Sequence, residues 1–513
     1  MADASEPLLP GEKKAKSINA TGAIFAASIA TIGSFMFGFN IGFTSPSLPS
    51  LEWGTDPVFG DCSEWIQDSN GGYSCKESAQ GAFFSAIINF GAMAGAFAGG
   101  PIVDSIGRKY SVILSAVPLI LGWLWIAIGA GYFGMLAARV ATGFGMGLVT
   151  ISVNVYVTEI SPSHLRGALS SMFQLNLTIG ILAVYLIGEY LTTSQFVTAT
   201  MNPTNPPAFK YGQHLECNWR LLSYVGAGIS TLMFVGMLFM PESPRYLLLN
   251  NRQEEAIKAL NFFKGATYNA YAEVESFRKQ EEDEYVEEAG EESCASTWLT
   301  RGSLIPMGIM LVLHTVQQFS GINAVIFFCQ TIFADAGVSN PVVASVTVAI
   351  VQVVFTGLLT MGLLDLAGRR VMLTLSLIGM TISCIGMSTA FHLKEVDNAQ
   401  DWLAFASLLG YIASFSIGTG AIVWVIMGEI LPLKIRGLGS SIASGFNWTC
   451  SFVVTFMFSI MLTKLKGVGT FLFYAAVCAF GAVFTYVVVP ETKGLELEAI
   501  EKLFLTRMEL IWI

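Results

Sequence analysis

Read as hydrophobic and polar positions, the chain is a series of long apolar runs separated by short polar breaks. Runs of roughly 20 apolar residues, the length that crosses a hydrocarbon core as a helix, stand at about 21 to 43, 81 to 103, 110 to 130, 133 to 155, 168 to 190, 220 to 240, 304 to 333, 342 to 364, 371 to 391, 402 to 427, 439 to 462 and 468 to 489. They form two sets of six with a polar stretch of about 60 residues between them. The pattern predicts an all-α membrane protein of twelve transmembrane helices in two pseudo-symmetric six-helix halves. The expected divisions are an N-terminal tail at 1–20, a first half at 21–240, a linker at 241–303, a second half at 304–489 and a C-terminal tail at 490–513. Inside the linker, Glu254-Glu-Ala-Ile-Lys-Ala-Leu260 has the spacing of a short amphipathic helix, whereas the acidic run from Glu281 to Glu292 reads as a solvated tether.

The two halves repeat one another in their polar breaks. Asp104-Ser-Ile-Gly-Arg-Lys109, after the second run, is answered about 260 residues later by Asp365-Leu-Ala-Gly-Arg-Arg370, after the eighth. Glu159-Ile-Ser-Pro-Ser-His-Leu-Arg166-Gly167 is answered by Glu429-Ile-Leu-Pro-Leu-Lys-Ile-Arg436-Gly437, and Pro241-Glu242-Ser-Pro-Arg245 by Pro490-Glu491-Thr-Lys-Gly494. A membrane chain built from one unit used twice is a transporter signature, and it places the substrate between the halves.

Composition changes this picture little. Charged residues make up 12% and hydrophobic ones 53% of the chain, with a mean hydropathy of +0.60, against about 25% charged residues in soluble domains. Much of the net charge of -10 comes from the acidic run in the linker. Basic residues gather in the breaks that would share a side with both termini, including Lys13, Lys14, Lys16, Arg108, Lys109, Arg166, Arg369, Arg370, Lys434 and Arg436, which predicts cytoplasmic termini. The polar first twenty residues carry no apolar core with a cleavage site, so the first span is expected to act as its own insertion signal. No basic, aromatic-rich patch invites nucleic acid. The acceptor-like triplets at Asn19, Asn176 and Asn447 fall in the cytoplasm or within spans, so no N-linked glycan is expected.

The eight cysteines lack zinc-ligand spacing with a histidine, so no metal and no cofactor is expected. Cys329, Cys384, Cys450 and Cys478 lie in apolar spans as small core residues, while Cys62 and Cys75 share the first external loop, where a bridge between them would leave Cys217 as a spare thiol. Gly91, Gly95 and Gly99 in the second span, with Gly143, Gly145 and Gly147 in the fourth, read as close helix packing; a dinucleotide fingerprint would need a preceding strand. No nucleophile elbow, zinc helix or phosphate loop supports an enzyme.

These paired signatures, together with Gln317-Gln318-Phe-Ser-Gly-Ile-Asn323 in the seventh span, resemble the sugar porter family of the major facilitator superfamily over almost the whole chain. Val351-Gln352-Val-Val-Phe355 and the segment at 45–50 resemble most the class III facilitative hexose transporters of animals and the insect trehalose transporters. The resemblance implies the major facilitator fold, a small-molecule sugar substrate and the lipid bilayer as surroundings. It also implies a gating network of two clusters, Asp104, Arg108, Glu159, Arg166 and Glu242 in one half and Asp365, Arg369, Glu429, Arg436 and Glu491 in the other. Carboxylates and guanidinium groups at helix ends can pair to close one side and part when it opens.

A sugar offers hydroxyls that need donors and acceptors and a ring face that stacks, so its cavity is expected to be lined by uncharged amides and aromatics. The candidates are Gln174, Gln317, Gln318, Asn323, Gln352 and Asn447, with Phe415 and Trp424 as stacking partners and His314 as a hydrogen-bonding group. Asn89, Asn154 and Asn176 are expected only to link neighbouring helices. Three departures from the family stand out. Asn40 stands where proton-coupled relatives carry an aspartate, which leaves Arg139 without an acid in its half. Ala421 and Val423 replace two prolines, so bending of the tenth span falls to Gly418 and Gly420. His314 replaces a common glutamine, where it is expected to hydrogen-bond substrate or a neighbouring helix, with a proton relay as the alternative.

The expected function is facilitative transport of a hexose, glucose first, by alternating access. Trehalose or another sugar, proton symport and a non-transporting sugar sensor are the alternatives, the last lacking a long tail after Pro490. The expected location is the cell membrane. An endosomal or lysosomal membrane is the alternative, because Glu6-Pro-Leu8-Leu9-Pro is similar to an acidic dileucine signal, though with alanine at position 4.

Overall fold

The computed structural model describes residues 19–53, 58–59, 65–67, 73–75, 79–129, 131–162, 165–196, 213–265, 268–277, 301–338, 340–358, 368–396, 400–432 and 436–493. The first half begins with a run broken into α1 (Thr21–Ala30), α2 (Ile32–Gly42) and α3 (Thr44–Trp53). It continues through α4 (Ala79–Ile106), α5 (Arg108–Ile128), α6 (Gly131–Ile160), α7 (Arg166–Tyr190) and α8 (Trp219–Leu238). Two short linker helices follow, α9 (Pro244–Leu249) and α10 (Gln253–Lys264). The second half contains α11 (Arg301–Phe319), α12 (Ile322–Phe327), α13 (Cys329–Ala336), α14 (Pro341–Leu358), α15 (Arg369–Glu395), α16 (Asp401–Ile417), α17 (Thr419–Ile430) and α18 (Arg436–Val488). Two antiparallel hairpins, Trp65–Gln67 with Tyr73–Cys75 and Thr192–Phe196 with Gln213–Cys217, occupy interhelix segments of the first half.

Eleven described stretches are long and apolar enough to cross a membrane. The last, of 50 residues, contains two helices joined at Lys466, whose φ of 57° and ψ of -178° leave the helical region. The architecture is therefore twelve passes in two sets of six. Large apolar side chains such as Leu121, Ile128, Leu232, Ile382 and Val483 point outward, which suits a lipid surround.

Small residues bring α4 and α6 together. A Cβ on Gly91 or Gly95 would overlap the carbonyl of Val140 or Phe144, and one on Gly143 or Gly147 would overlap that of Ile88 or Ala92. These four glycines thus form one reciprocal close crossing, with Gly99 against the Ile151 side chain, while Gly145 packs instead on Leu119 and Ser115 of α5. Between the halves, α4 packs on α18 and α7 on α14.

The amphipathic stretch of the linker lies within α10, which buries Ala256, Ala259, Leu260 and Phe263. It is tied to the first half: the Asn19 amide donates to Lys264 O at 3.1 Å, and Phe263 meets Tyr156 edge to face. Cys217, Cys329, Cys384, Cys450 and Cys478 are buried free thiols. Cys62, the side chain of Cys75 and the acidic run at 281–292 lie outside the described residues.

Candidate functional site

Two breaks in otherwise continuous helices build the site. Between α11 and α12 the chain passes through Gly321 at φ 94°, where a Cβ would stand 2.6 Å from the ring of Tyr474. Only glycine tolerates both conditions. The break folds Asn323 back beside Gln318, so that Asn323 Nδ2 donates to Gln318 Oε1 at 2.6 Å and to Ser451 Oγ at 2.6 Å. Between α16 and α17, Gly418 takes φ -144° and ψ -87°, and a Cβ there would overlap the Ser376 side chain. Ser376 Oγ accepts from the Thr419 amide at 3.0 Å and donates to Ser414 O at 2.7 Å. The carbonyls of Thr419 and Gly420 receive Gln317 Nε2 at 2.7 and 3.3 Å. The bend of this span rests on Gly418, with Gly420 already inside α17.

A cavity of about 500 Å³ lies between the halves. Gln174 from α7, Gln317 and Gln318 from α11, Asn323 from α12 and Gln352 from α14 stand on its wall, joined by Phe415 from α16, Trp424 from α17 and Asn447 from α18. The remaining polar wall comes from Thr150, Asn154, Ser170 and Ser171, and Phe37, Phe173 and Trp448 add aromatic faces. No ionisable side chain lines it among the described residues. Asn154, expected only to link helices, bonds Thr150 O at 2.8 Å and also faces the cavity. Asn176 bonds Thr31 Oγ1 at 3.0 Å, and Asn89 Oδ1 accepts from Ser451 Oγ at 2.9 Å across the halves. Trp448 could have been found from its place beside Asn447; Phe37 and the three hydroxyls carried no comparable signal.

His314 is not on the cavity wall, so of the hydrogen bonds expected of it, to substrate or to a neighbouring helix, the structure shows the second. It is fully buried behind the wall, with Nδ1 2.9 Å from Asn447 Nδ2 and its ring 5.0 Å from that of Trp424 at 60°.

The cavity has two unlike ends. Thr150, Asn154, Ser170, Ser171 and Met427 carry its wall toward the end of the bundle that bears Glu159 and Glu429. At the other end, Tyr185 Oη donates to Ile326 O at 2.6 Å and the Gln330 amide to Ser45 Oγ at 3.3 Å. Those two bonds tie the first half to the second.

Each charged motif forms a corner within its own half. Arg108 Nε lies 3.0 Å from Glu159 Oε2, Ser243 Oγ donates to the same carboxylate, and Glu242 Oε1 accepts from the amides of Arg108 and Lys109 at 3.0 and 2.9 Å. Burial pushes the Glu242 carboxyl above the ordinary carboxylate range, against the opposing pull of the Lys109, Ser243 and Arg108 amides. Asp104 lies 3.6 Å from Arg108 and is 77% exposed. In the second half, Arg369 Nη2 lies 3.1 Å from Glu429 Oε1, Thr492 Oγ1 donates to Glu429 Oε2 at 2.6 Å, and Glu491 accepts from the amides of Arg369 and Arg370 at 2.9 and 3.1 Å. Asp365 and the side chains of Arg166 and Arg436 lie outside the described residues, although Arg166 and Arg436 open α7 and α18.

Arg139 is fully buried in the first half. Its Nη1 donates to Asn40 O at 3.1 Å and Oδ1 at 3.4 Å, its Nη2 to Thr44 Oγ1 at 2.6 Å, and its guanidinium lies over the rings of Phe84 and Phe43. Asn40 Nδ2 in turn donates to Thr142 O at 3.2 Å. An isolated guanidinium at such depth is costly, and here carbonyl, hydroxyl and ring faces carry it in place of a carboxylate.

Comparison with known proteins completes the assignment. The family model described as "Sugar (and other) transporter" matches residues 26–504. The chain is 35% identical over 484 residues to sugar transporter ERD6-like 6 of Arabidopsis thaliana, covering 93% of this chain and 89% of that protein. It is 34% identical over 500 residues to solute carrier family 2, facilitated glucose transporter member 8, of Bos taurus, covering 93% of each. To the facilitated trehalose transporter Tret1 of Polypedilum vanderplanki it is 32% identical over 490 residues, covering 94% and 88%. Among solved structures, the inward open conformation of the xylose transporter XylE from E. coli shares its fold, with a TM-score of 0.73 at 24% identity over 94% of this chain and 99% of that one. Neither half is left out of these matches, and the chain belongs to the sugar (and other) transporter family, a multi-pass sugar porter of the major facilitator superfamily.

Proposed function

We propose that the protein carries a hexose, glucose first among them, across the cell membrane by facilitated diffusion, its termini on the cytoplasmic side. One observation supports the substrate class most directly: the wall between the halves offers amides, hydroxyls and aromatic faces and, among the described residues, no ionisable group. Such a surface matches a neutral polyhydroxyl molecule and gives a charged one no counter-ion. Asn40 supports uniport. Proton coupling needs a group that binds and releases a proton with different affinity in the two open states, and the amide beside Arg139 does not titrate. The name of the bovine relative agrees with a facilitated glucose carrier. Trehalose is the second reading, favoured by the name of the insect relative and by a cavity of about 500 Å³, well within the usual range for ligand pockets.

In this reading the charged corners serve gating. Their pairs join helices of one half, so each braces its half as a body, and the two corners approach when the end they share closes. The bonds from Tyr185 and Gln330 hold the opposite end shut while the corners stand apart, and must break when the corners meet.

Counterflow in proteoliposomes with labelled glucose, other hexoses, trehalose and a polyol tests the substrate. Glucose should exchange fastest; exchange of trehalose alone would replace the hexose reading. With an inward proton gradient and no sugar gradient, no net accumulation is expected, and accumulation would refute uniport. For location, changing Leu8 and Leu9 to alanine should leave surface abundance unchanged; a rise would favour endosomal or lysosomal membranes.

A further inference from the structure

The amides on the second half's side of the cavity form one chain with a defined direction. Its starting point is fixed by atoms that can only accept. The carbonyls of Thr419 and Gly420, exposed by the break at Gly418, bind the Gln317 amide nitrogen at 2.7 and 3.3 Å. Gln317 must therefore turn its Oε1 toward Asn447, whose Nδ2 donates to it at 3.0 Å. That orients Asn447 in turn: its Oδ1 accepts from Gln318 Nε2 at 3.0 Å, and Gln318 Oε1 accepts from Asn323 Nδ2 at 2.6 Å. The second proton on Asn447 Nδ2 meets His314 Nδ1 at 2.9 Å. A nitrogen that already donates to Gln317 can only donate here as well. His314 Nδ1 is thus an acceptor, and the ring is neutral with its proton on Nε2.

We infer that His314 is a positioning residue that, from behind the wall, sets the donor and acceptor pattern that Asn447, Gln318 and Asn323 present to a polyhydroxyl substrate. The geometry supports this beyond the single bond. Among the described residues His314 Nε2 has no hydrogen-bond partner and Nδ1 is the ring's one polar anchor in the wall, while the ring packs on Trp424 at 5.0 Å. A proton on Nδ1 would force Asn447 to present its oxygen, and the bonds from Asn447 to Gln317 and from Gln318 to Asn447 would both be lost. An apolar side chain at 314 would leave one Asn447 proton without an acceptor and free the amide to turn.

The inference rests on the cavity being a sugar site, and two measurements keep the two ideas apart. The first needs no ligand. In the full chain labelled with 15N-histidine, one of four histidines and identified by its loss in His314→Leu, the His314 ring should show a bare Nδ1 and a protonated Nε2 at neutral pH. A proton on Nδ1 would overturn the inference whether or not any sugar binds. The second measures competition by a panel of singly deoxygenated and fluorinated glucoses. His314→Leu should change their rank order and weaken some by about tenfold, the scale of one misplaced buried hydrogen bond. His314→Gln, which supplies an acceptor oxygen, should restore the original order. Uniform weakening of every analogue by His314→Leu would mean that the histidine only packs, and would overturn the inference. If the unaltered protein binds none of the panel, the sugar reading fails and the ring protonation still decides the tautomer.

Discussion

The corner at Glu159 and the corner at Glu429 are nearly the same object. Each joins an arginine that opens a helix to a carboxylate closing another, adds a hydroxyl to that carboxylate, and caps the arginine's helix with a second carboxylate from the end of the half. Gly107 at φ 95° and Gly368 at φ 84° make the same tight entry, and the two caps sit where a helix N-terminus favours negative charge. The interiors differ. The first half buries Arg139 on an amide and a hydroxyl, whereas the second concentrates the amide chain around its two helix breaks. The repeat therefore survives where charge braces the helix ends, and is lost around the cavity between the halves. The difference teaches that symmetry in this chain is a property of the frame.

The largest effect should come from opening a corner. Arg108 and Glu159 are 9% and 11% exposed, against 15% and 22% for Arg369 and Glu429. Arg108→Ala leaves the more deeply buried carboxylate, and should cost about 3 to 5 kcal/mol of stability, the scale for breaking a buried pair. Arg369→Ala should cost less, and thermal unfolding in detergent compares them directly. Equal costs would remove the distinction between the corners. Under the gating reading, Arg369→Gln should lower transport while sugar binding survives.

Next in size is the asymmetry of the interiors. Gln317→Leu strips the carbonyls of Thr419 and Gly420 of their donor and removes a wall amide, so sugar affinity should fall by about 2 kcal/mol, roughly thirtyfold. Gln174→Leu, on the first half's side of the cavity, should cost well under half of that. Isothermal binding titration of both variants checks the ratio, and a larger loss at Gln174 would reverse the assignment of the substrate to the second half's amides.

Gly107→Ala and Gly368→Ala test the likeness of the corners. A Cβ would stand 2.5 Å from Glu242 Oε2 in the first and 2.7 Å from Glu491 Oε2 in the second, each at positive φ. Both should destabilise by about 1 to 2 kcal/mol, with helix-end amide exchange rising at 108–109 or 369–370. Tolerance of one and not the other would show that the corners only look alike.

The smallest expected effect belongs to the first interior. Asn40→Asp places a carboxylate beside Arg139 Nη1 and the Thr142 carbonyl, and should give transport a pH dependence of about 1 kcal/mol, roughly fivefold in rate across the titration. A flat pH profile in sugar-flux assays would mean that the buried guanidinium is uncoupled from the transport cycle.

Much of this protein is legible in one dimension. Charged residues inside an apolar chain are expensive, so those present recur at fixed offsets, and the three pairs of motifs reveal two halves and their corners without any contact information. The same cost exposes amides in apolar runs, and all six amides expected at the cavity reach its wall. What one dimension left open is which way each helix faces. Asn154 turns toward the cavity and His314 behind it, and nothing in their spacing separates the two. The breaks at Gly321 and Gly418, where Tyr474 and Ser376 lie too close for a side chain, likewise depend on distant segments. Sequence spacing is local, so it determined the twelve runs, the repeat and the kinds of side chain buried in them. Rotation of one helix against another is set by packing between distant segments, so only the tertiary structure decided which amides face the cavity, which way their hydrogen bonds point and which end of the cavity is tied across the halves.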